Sequence, residues 1–270
     1  FEKYTEGMDY VVHLAGLSSL PLCQSEPMYA MDVNVSGTAN VLEACRVSNV
    51  KRVVFASTGA IYENNLEHPF REEDTVEPFL VYPTSKYQAE KLCETYEICY
   101  GMDIVRLRFF NVYGPRSRTT GTYGAVFGVF LAQKLAGLPY TVVGNGKQTR
   151  DFTYISDIIA ALITAAQSDN VASVYNVGSG ESVSVNRLVD LLGGEKVYIP
   201  KRPGEPDCTY ADISKIRAEL GWTPKVTIDE GVCQLLRCID DWREAPVWTP
   251  DAISVATQDW FRYLGEPTDQ

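Results

Sequence analysis

Apolar positions fall along this chain in short runs, separated by longer stretches with helical spacing. "DYVVHLAG" (residues 9–16) is an apolar run ending in small residues, which predicts a buried strand and then a tight turn. From about Pro27 to Val47, Leu42 and Cys45, with Val35 and Val41 alongside, predict a helix with a core-facing stripe. "RVVFAST" (52–58) predicts a second buried strand and "DIVRLRFFNVYG" (103–114) a third. Between these two, "NNLEHPFREEDTVEPFL" (64–80) is polar and punctuated by proline, hence a loop. "PTSKYQAEKLCETYEICYG" (83–101) has proline near one end and Gly101 at the other, the expected asymmetry of a helix. Strands alternating with helices predict an α/β fold with a doubly wound parallel sheet. Ligands of such sheets gather at the carboxyl ends of the strands, here "HLAG", "AST" and "FFNVYGP".

After Pro115 the character changes. "RSRTTGTYGA" (116–125) is expected to be a flexible basic loop, followed by a helix at about Gly124–Ala136 and a short strand "YTVVG". "DFTYISDIIAALITAAQ" and "SVYNVGSG" are expected to return to the sheet as a helix and a strand. The elements from Glu181 onward form a second, smaller lobe, against which Trp242, Trp248 and Trp260 of the tail are expected to pack.

Composition narrows the function. A hydrophobic content of 45% suits a chain that buries a core. A net charge of −11 argues against binding nucleic acid, which needs a basic patch. The longest apolar run, "IIAALITAA", is too short to span a bilayer, so no membrane partner is expected. The seven cysteines form no Cys-x-x-Cys pair and are read as reduced thiols of a cytoplasmic protein. With His13 and His68 the only histidines, neither a metal site nor a Ser-His-Asp triad is expected.

Chemistry enters with "VYPTSKYQAEK". Tyr82 stands four residues before Lys86, and Tyr87 four before Lys91. A tyrosine hydroxyl titrates near pH ~10 and needs an adjacent ammonium to act as a base. One helical turn supplies that adjacency. In a chain with 16 tyrosines, spacing alone is weak evidence. Five residues along a helix rotate the second pair by roughly 140° from the first, so both cannot serve one site. Tyr82 has the better context. It opens its helix, where the dipole favours negative charge, and Ser57 and Thr58 end the preceding strand. Tyr87 and Lys91 are then a packed or solvated face.

Taken in order, "HLAG", "NVSGTANVLEA", "FASTGAIY", "YPTSK", "RFFNVYGPR", "QTRDFTYISD", "YNVGSGESVSV" and "RPGEPDCTYADISK" resemble the extended short-chain dehydrogenase/reductases, specifically the NAD-dependent nucleotide-sugar epimerases and dehydratases. The resemblance implies a Rossmann domain over 1–113 and 151–178, and a nucleotide-sugar-binding lobe over 114–150 and 179–270. It also implies a Gly-rich βαβ opening that cradles the pyrophosphate. No G-x-G-x-x-G stands in this sequence, so that unit is expected to precede Phe1 or NAD is not held normally.

The resemblance assigns roles as well. Tyr82 would be the acid/base, Lys86 would lower its pKa and hold the nicotinamide ribose, and Thr58 would bond the sugar hydroxyl. Leu14, Ala15, Gly16, Leu17, Asn34, Ser57 and Phe110 would line the cofactor. Asn111, Arg150 and Arg202 would meet the substrate phosphates, and Glu205 the nucleotide ribose. Val126, Phe127, Thr141 and Val143 would flank the base. Family dehydratases and decarboxylases carry carboxylates just after the strand-end threonine; here stand Gly59 and Ala60, which cannot move protons. That leaves 4-epimerisation of a UDP-sugar through a transient keto sugar, with a nucleotide-sugar reductase, an epimerase at another carbon or a truncated non-catalytic binding protein as alternatives. Thr209 stands where enzymes restricted to small sugars carry a bulky tyrosine, so an N-acetylated sugar is expected to fit. Relatives in this family pair through two helices, so a homodimer through a four-helix bundle of Pro27–Val47 and Pro83–Tyr100 is expected.

Overall fold

The structure is a computed structural model that describes residues 2–117, 125–169 and 174–265. Its central sheet is parallel and runs in the order β1 (Tyr10–His13), β2 (Arg52–Thr58), β3 (Ile104–Phe109) and β8 (Val174–Val177). β2 and β3 are buried along almost their whole length, because helices cover both faces. The alternation predicted from the sequence is therefore present, and the fold is a doubly wound α/β sheet of the Rossmann type.

Two of the expected strands differ from their reading. β1 is not a buried strand: Tyr10, Val12 and Leu14 are 46%, 42% and 58% exposed. It pairs with β2 on one side and lies at the sheet's edge on the other. Nor does the third apolar run form one strand. β3 ends at Phe109, the Phe110 amide donates to the carbonyl of Val177, and the Asn111 amide turns to the carbonyl of Asp151. β4 (Asn111–Tyr113) then pairs in parallel with β7 (Phe152–Tyr154), outside the central sheet. A change of hydrogen-bonding partner at one residue leaves no mark in hydropathy.

The expected helix Pro27–Val47 is present but interrupted. Pro27–Met31 and Gly37–Val47 are α-helical, and Asp32–Ser36 between them is a π turn that holds buried Asn34. Such widened turns occur often at functional sites. The long helix, Val81–Tyr100, ends at Gly101, whose φ of 65° lies in the left-handed region that glycine tolerates. Residues 63–80 form the expected loop, tied to the rest by a bridge from Phe70 to Ala211. Most of the expected basic loop, residues 118–124, lies outside the described residues.

The smaller lobe holds β5 (Tyr140–Val143), β6 (Thr149–Arg150), β9 (Val183–Ser184), β10 (Lys196–Ile199) and β11 (Cys208–Thr209). β10 pairs with β5, and β6 lies between β11 and β9. One apolar cluster joins β5 and β7 to the helices Val126–Leu135, Val185–Leu192 and Ile228–Arg237. Trp242 is buried in that cluster and Trp248 packs on it, as expected. Trp260 behaves differently: its indole donates to the carbonyl of Pro203 (2.8 Å) and borders the large cleft between strand ends and lobe. No described helix is long and apolar enough to cross a membrane.

Candidate active site

A cleft of about 850 Å³ opens at the carboxyl ends of β1, β2 and β3, with the smaller lobe as its far wall. It brings together Leu14, Gly16, Leu17, Ser57, Thr58, Tyr82, Lys86, Phe110 and Asn111 on the sheet side. The lobe side adds Val126, Phe127, Thr141, Val143, Arg150, Arg202, Glu205 and Thr209. Of the residues singled out from the sequence, only Ala15 and Asn34 do not line it. Asn34 works from behind: it accepts from the Leu17 amide (2.7 Å) and donates to the Leu17 carbonyl (2.9 Å) and the Ser85 hydroxyl (2.8 Å). The loop after β1 is thereby fastened to the long helix.

The start of the long helix places Tyr82 and Lys86 at the cleft. Tyr82 is half-buried and faces the cleft. Burial raises its pKa, and the Thr58 hydroxyl beside it acts in the opposite direction. One turn on, Lys86 is 5% exposed, with its ammonium 4.2 Å from the centre of the Phe55 ring. Burial pulls the Lys86 pKa down to about 8, against the pull of Cys93 and Glu90. Among the described residues Lys86 has neither a hydrogen-bond nor an ion-pair partner. A cleft-lining donor with no acceptor among the described residues is suited to one supplied by a ligand. Gly16 passes directly over it: a Cβ there would lie 3.7 Å from Lys86 Nζ and 3.2 Å from Asn34 Oδ1.

Thr58 ends β2, and its side chain accepts from the Ala60 amide (3.1 Å). Gly59 follows because Phe110 leaves no room for more: a Cβ would sit 2.9 Å from the ring. An acidic side chain at that position is excluded by packing as well as by its absence from the sequence. Glu63 adds a support that sequence pattern does not reveal. It accepts from the amides of Phe79 (2.6 Å) and Leu80 (2.9 Å) and so holds the first turn of the long helix, just ahead of Tyr82.

On the lobe side, Glu205 lies between two arginines. It takes a two-pronged bond from Arg202 (3.0 and 2.9 Å) and stands 3.6 Å from Arg150. Burial lowers the pKa of Arg150, with Glu205 opposing. Thr209 Oγ1 is buried at the cleft wall and has no hydrogen-bond partner among the described residues. Phe127 stacks on Tyr113 with ring centres 4.4 Å apart, and the Thr141 hydroxyl accepts from Gln133 (2.8 Å), so both form the back of this wall. Gln148 and Trp260 also border the cleft.

The second tyrosine–lysine pair is elsewhere. Tyr87 packs against the sheet's core, Lys91 pairs with Glu94 (2.8 Å), and the ammonium lies 5.4 Å from the Tyr87 ring. Both line a separate polar cavity of about 240 Å³ on the far side of the long helix.

The chain as a whole is similar to known proteins. The family model described as "NAD dependent epimerase/dehydratase family" covers residues 1–178. The chain belongs to this family. It is 34% identical over 232 residues to a putative UDP-glucose 4-epimerase of Methanocaldococcus jannaschii, covering 83% of this chain and 75% of that protein. It is also 34% identical over 240 residues to a UDP-glucuronate 4-epimerase of Thermodesulfobacterium geofontis, covering 86% and 72%. Among solved structures, the UDP-N-acetylglucosamine 4-epimerase of Methanobrevibacter ruminantium, in complex with UDP-N-acetylmuramic acid, superposes with a TM-score of 0.82 at 33% identity over 88% of this chain and 79% of that one. The UDP-glucuronic acid 4-epimerase of Bacillus cereus, in complex with UDP-glucuronic acid and NAD, gives 0.83 at 30% identity over 88% and 77%.

The residues of this epimerase/dehydratase-family protein fit NAD, because Gly16 closely approaches Lys86, which has no hydrogen-bond partner among the described residues, at one point of the cleft. Beneath that point runs a buried ionic network. Glu90, one turn beyond Lys86, accepts from Ser57 and takes both prongs of Arg108 (3.0 and 2.8 Å), while Arg108 donates to Tyr62 (2.6 Å). Glu90→Ala would leave the Arg108 charge buried without its partner. We expect a loss of about 3–5 kcal/mol in urea unfolding, far beyond that of the exposed Arg187–Asp229 pair when Asp229 is replaced.

Proposed function

We propose that this protein interconverts C4 epimers of a UDP-sugar, and that residues 1–113 and 151–178 carry the cofactor side while 114–150 and 179–270 carry the nucleotide-sugar side. One observation carries the reading: Tyr82 and partnerless Lys86 share a cleft with Thr58, two arginines and the orphaned Thr209 hydroxyl. NAD, when bound, would supply the acceptor and donor of hydride at the sugar carbon. Tyr82 takes the proton from the O4 hydroxyl and later gives it back, while Lys86 favours the phenolate through its charge. Thr58, beside Tyr82, holds that hydroxyl. Arg150 and Arg202 neutralise the diphosphate, which in a chain of net charge −11 needs local cations. Glu205, which now occupies Arg202, is the acceptor for the nucleotide ribose, and Asn111 lies at the phosphate end. The Leu14–Leu17 loop, Asn34, Ser57 and Phe110 serve the nicotinamide side, and Val126, Phe127, Thr141 and Val143 flank the base.

Incubating NAD-loaded protein with a panel of UDP-sugars tests this directly. We expect the C4 epimer to form with no net change in reduced cofactor. Net consumption of NADPH would instead mark a reductase, and absence of turnover across the panel a binding protein. The open wall at Thr209 supports acceptance of an N-acetylated sugar. Turnover of UDP-galactose without UDP-N-acetylgalactosamine would refute that, whereas Thr209→Tyr is expected to remove the larger substrate and spare the smaller.

A homodimer completes the reading. Met28 and Tyr29, in the segment before Asn34, and Ile98 and Tyr100 on the long helix are 80%, 54%, 77% and 56% exposed, an apolar face suited to the four-helix bundle. The cysteines, all free, support a cytoplasmic setting.

A further inference from the structure

Asp151 takes no part in the chemistry above, yet the nucleotide side of the cleft converges on it. It separates β6 from β7, and it is fully buried. Its carbonyl accepts from the Asn111 amide (2.9 Å), and its own amide donates to the carbonyl of Thr209 (2.8 Å). Its chain neighbour is Arg150. Three of the residues assigned to the substrate are thus adjacent to Asp151 or bonded to its backbone.

The side chain binds a further set. Oδ1 accepts from the amide and the hydroxyl of Ser179 (2.6 and 2.8 Å), in the turn after β8. Oδ2 accepts from the amides of Gly180 (3.1 Å) and Ala211 (3.2 Å), the latter just past β11. One carboxylate therefore clamps the end of the central sheet to the two short strands that carry Arg150 and Thr209. The fit is tight on the open side too: a Cβ on Gly178 would come 2.5 Å from Oδ2. An apolar side chain could not replace these bonds, because backbone amides buried without acceptors are costly.

We propose that Asp151 is a positioning residue that sets the spacing of Asn111, Arg150 and Thr209 and thereby the affinity for the nucleotide diphosphate of the substrate. The proposal rests on the UDP-sugar reading. An asparagine keeps the volume but turns an amino group toward amide donors, so strands β6 and β11 shift apart. Asp151→Asn is expected to raise KM for the UDP-sugar about tenfold or more, since small misplacements at a site cost that much. Its kcat should stay within a few-fold of wild type, because Tyr82, Lys86 and Thr58 lie on other elements. UDP alone, titrated by calorimetry, should weaken in parallel. Ser179→Ala removes a single donor to the same carboxylate and should raise KM about fivefold; it decides the matter if the asparagine variant does not fold. Folded variants with wild-type KM and UDP affinity would overturn the proposal, as would a fall in kcat with KM unchanged. Should wild type bind UDP but turn over no UDP-sugar, the epimerase reading fails, and the UDP affinities of the variants still decide the role of Asp151.

Discussion

Tyr82→Phe is expected to lower turnover about 10³-fold while leaving the protein folded and able to bind UDP. The substitution removes one oxygen from a half-buried ring at the first turn of a helix held from outside by Glu63, so the fold has little to lose. On the proposed mechanism the reaction would lose its proton acceptor. Positioned acid–base groups contribute about 10²–10⁴-fold, and no other described side chain lining the cleft combines a phenol with a lysine one helical turn away. Epimer formation from the best UDP-sugar should therefore fall by about 10³-fold. Tyr87→Phe, five residues on, should change turnover less than twofold, because that ring lies on the other side of the helix beside Lys91. Activity surviving in Tyr82→Phe would require a different base and would sink the assignment.

The two tyrosines show where sequence pattern suffices and where it stops. Helical geometry alone separates them by face, and the strand-end threonine chooses between them, so Tyr82, Lys86 and Thr58 are legible in the sequence. The same is true of the sheet, because buried parallel strands are continuous apolar runs. Three features are not legible. β1 has the composition of a buried strand, yet its exposure depends on what lies beside it in the sheet, which is not a property of the run. The break at Phe110 is a change of partner, from Val177 to Asp151, both far along the chain. Asp151 itself looks like an ordinary charged residue between an arginine and a phenylalanine. Besides nearby Thr153, its carboxylate bonds residues 28 to 60 positions away, and only the closed fold brings these together. The tail tryptophans divide in the same way: apolar bulk tells that they pack, but not that Trp260 packs at the cleft.

Lys86→Met should destroy activity and stabilise the protein, an opposition that separates a catalytic lysine from a structural one. Burial lowers the Lys86 pKa from 10.5 to about 8. At neutral pH the ammonium is charged in both folded and unfolded chains, but its folded form lacks hydration. A shift of this size corresponds to about 3 kcal/mol against folding at pH 7. The contact with Phe55 returns part of this, about 0.5–2 kcal/mol, and methionine keeps the packing. A net gain of about 1–3 kcal/mol in urea unfolding at pH 7 follows for protein without cofactor. The sign fixes the pH dependence. The folded pKa is depressed, so between about pH 8 and 10.5 the unfolded chain holds more protons than the folded one, and wild-type stability rises through that window relative to the variant. The gap between them should close by about pH 10.5. Turnover should nevertheless drop by about 10²-fold or more below about pH 8, where the wild-type ammonium is charged, because the phenol of Tyr82, already pushed up by burial, loses the cation one helical turn away. A variant that is both less stable and less active would mean that Lys86 is a packing residue whose charge is satisfied in a way the cleft does not show.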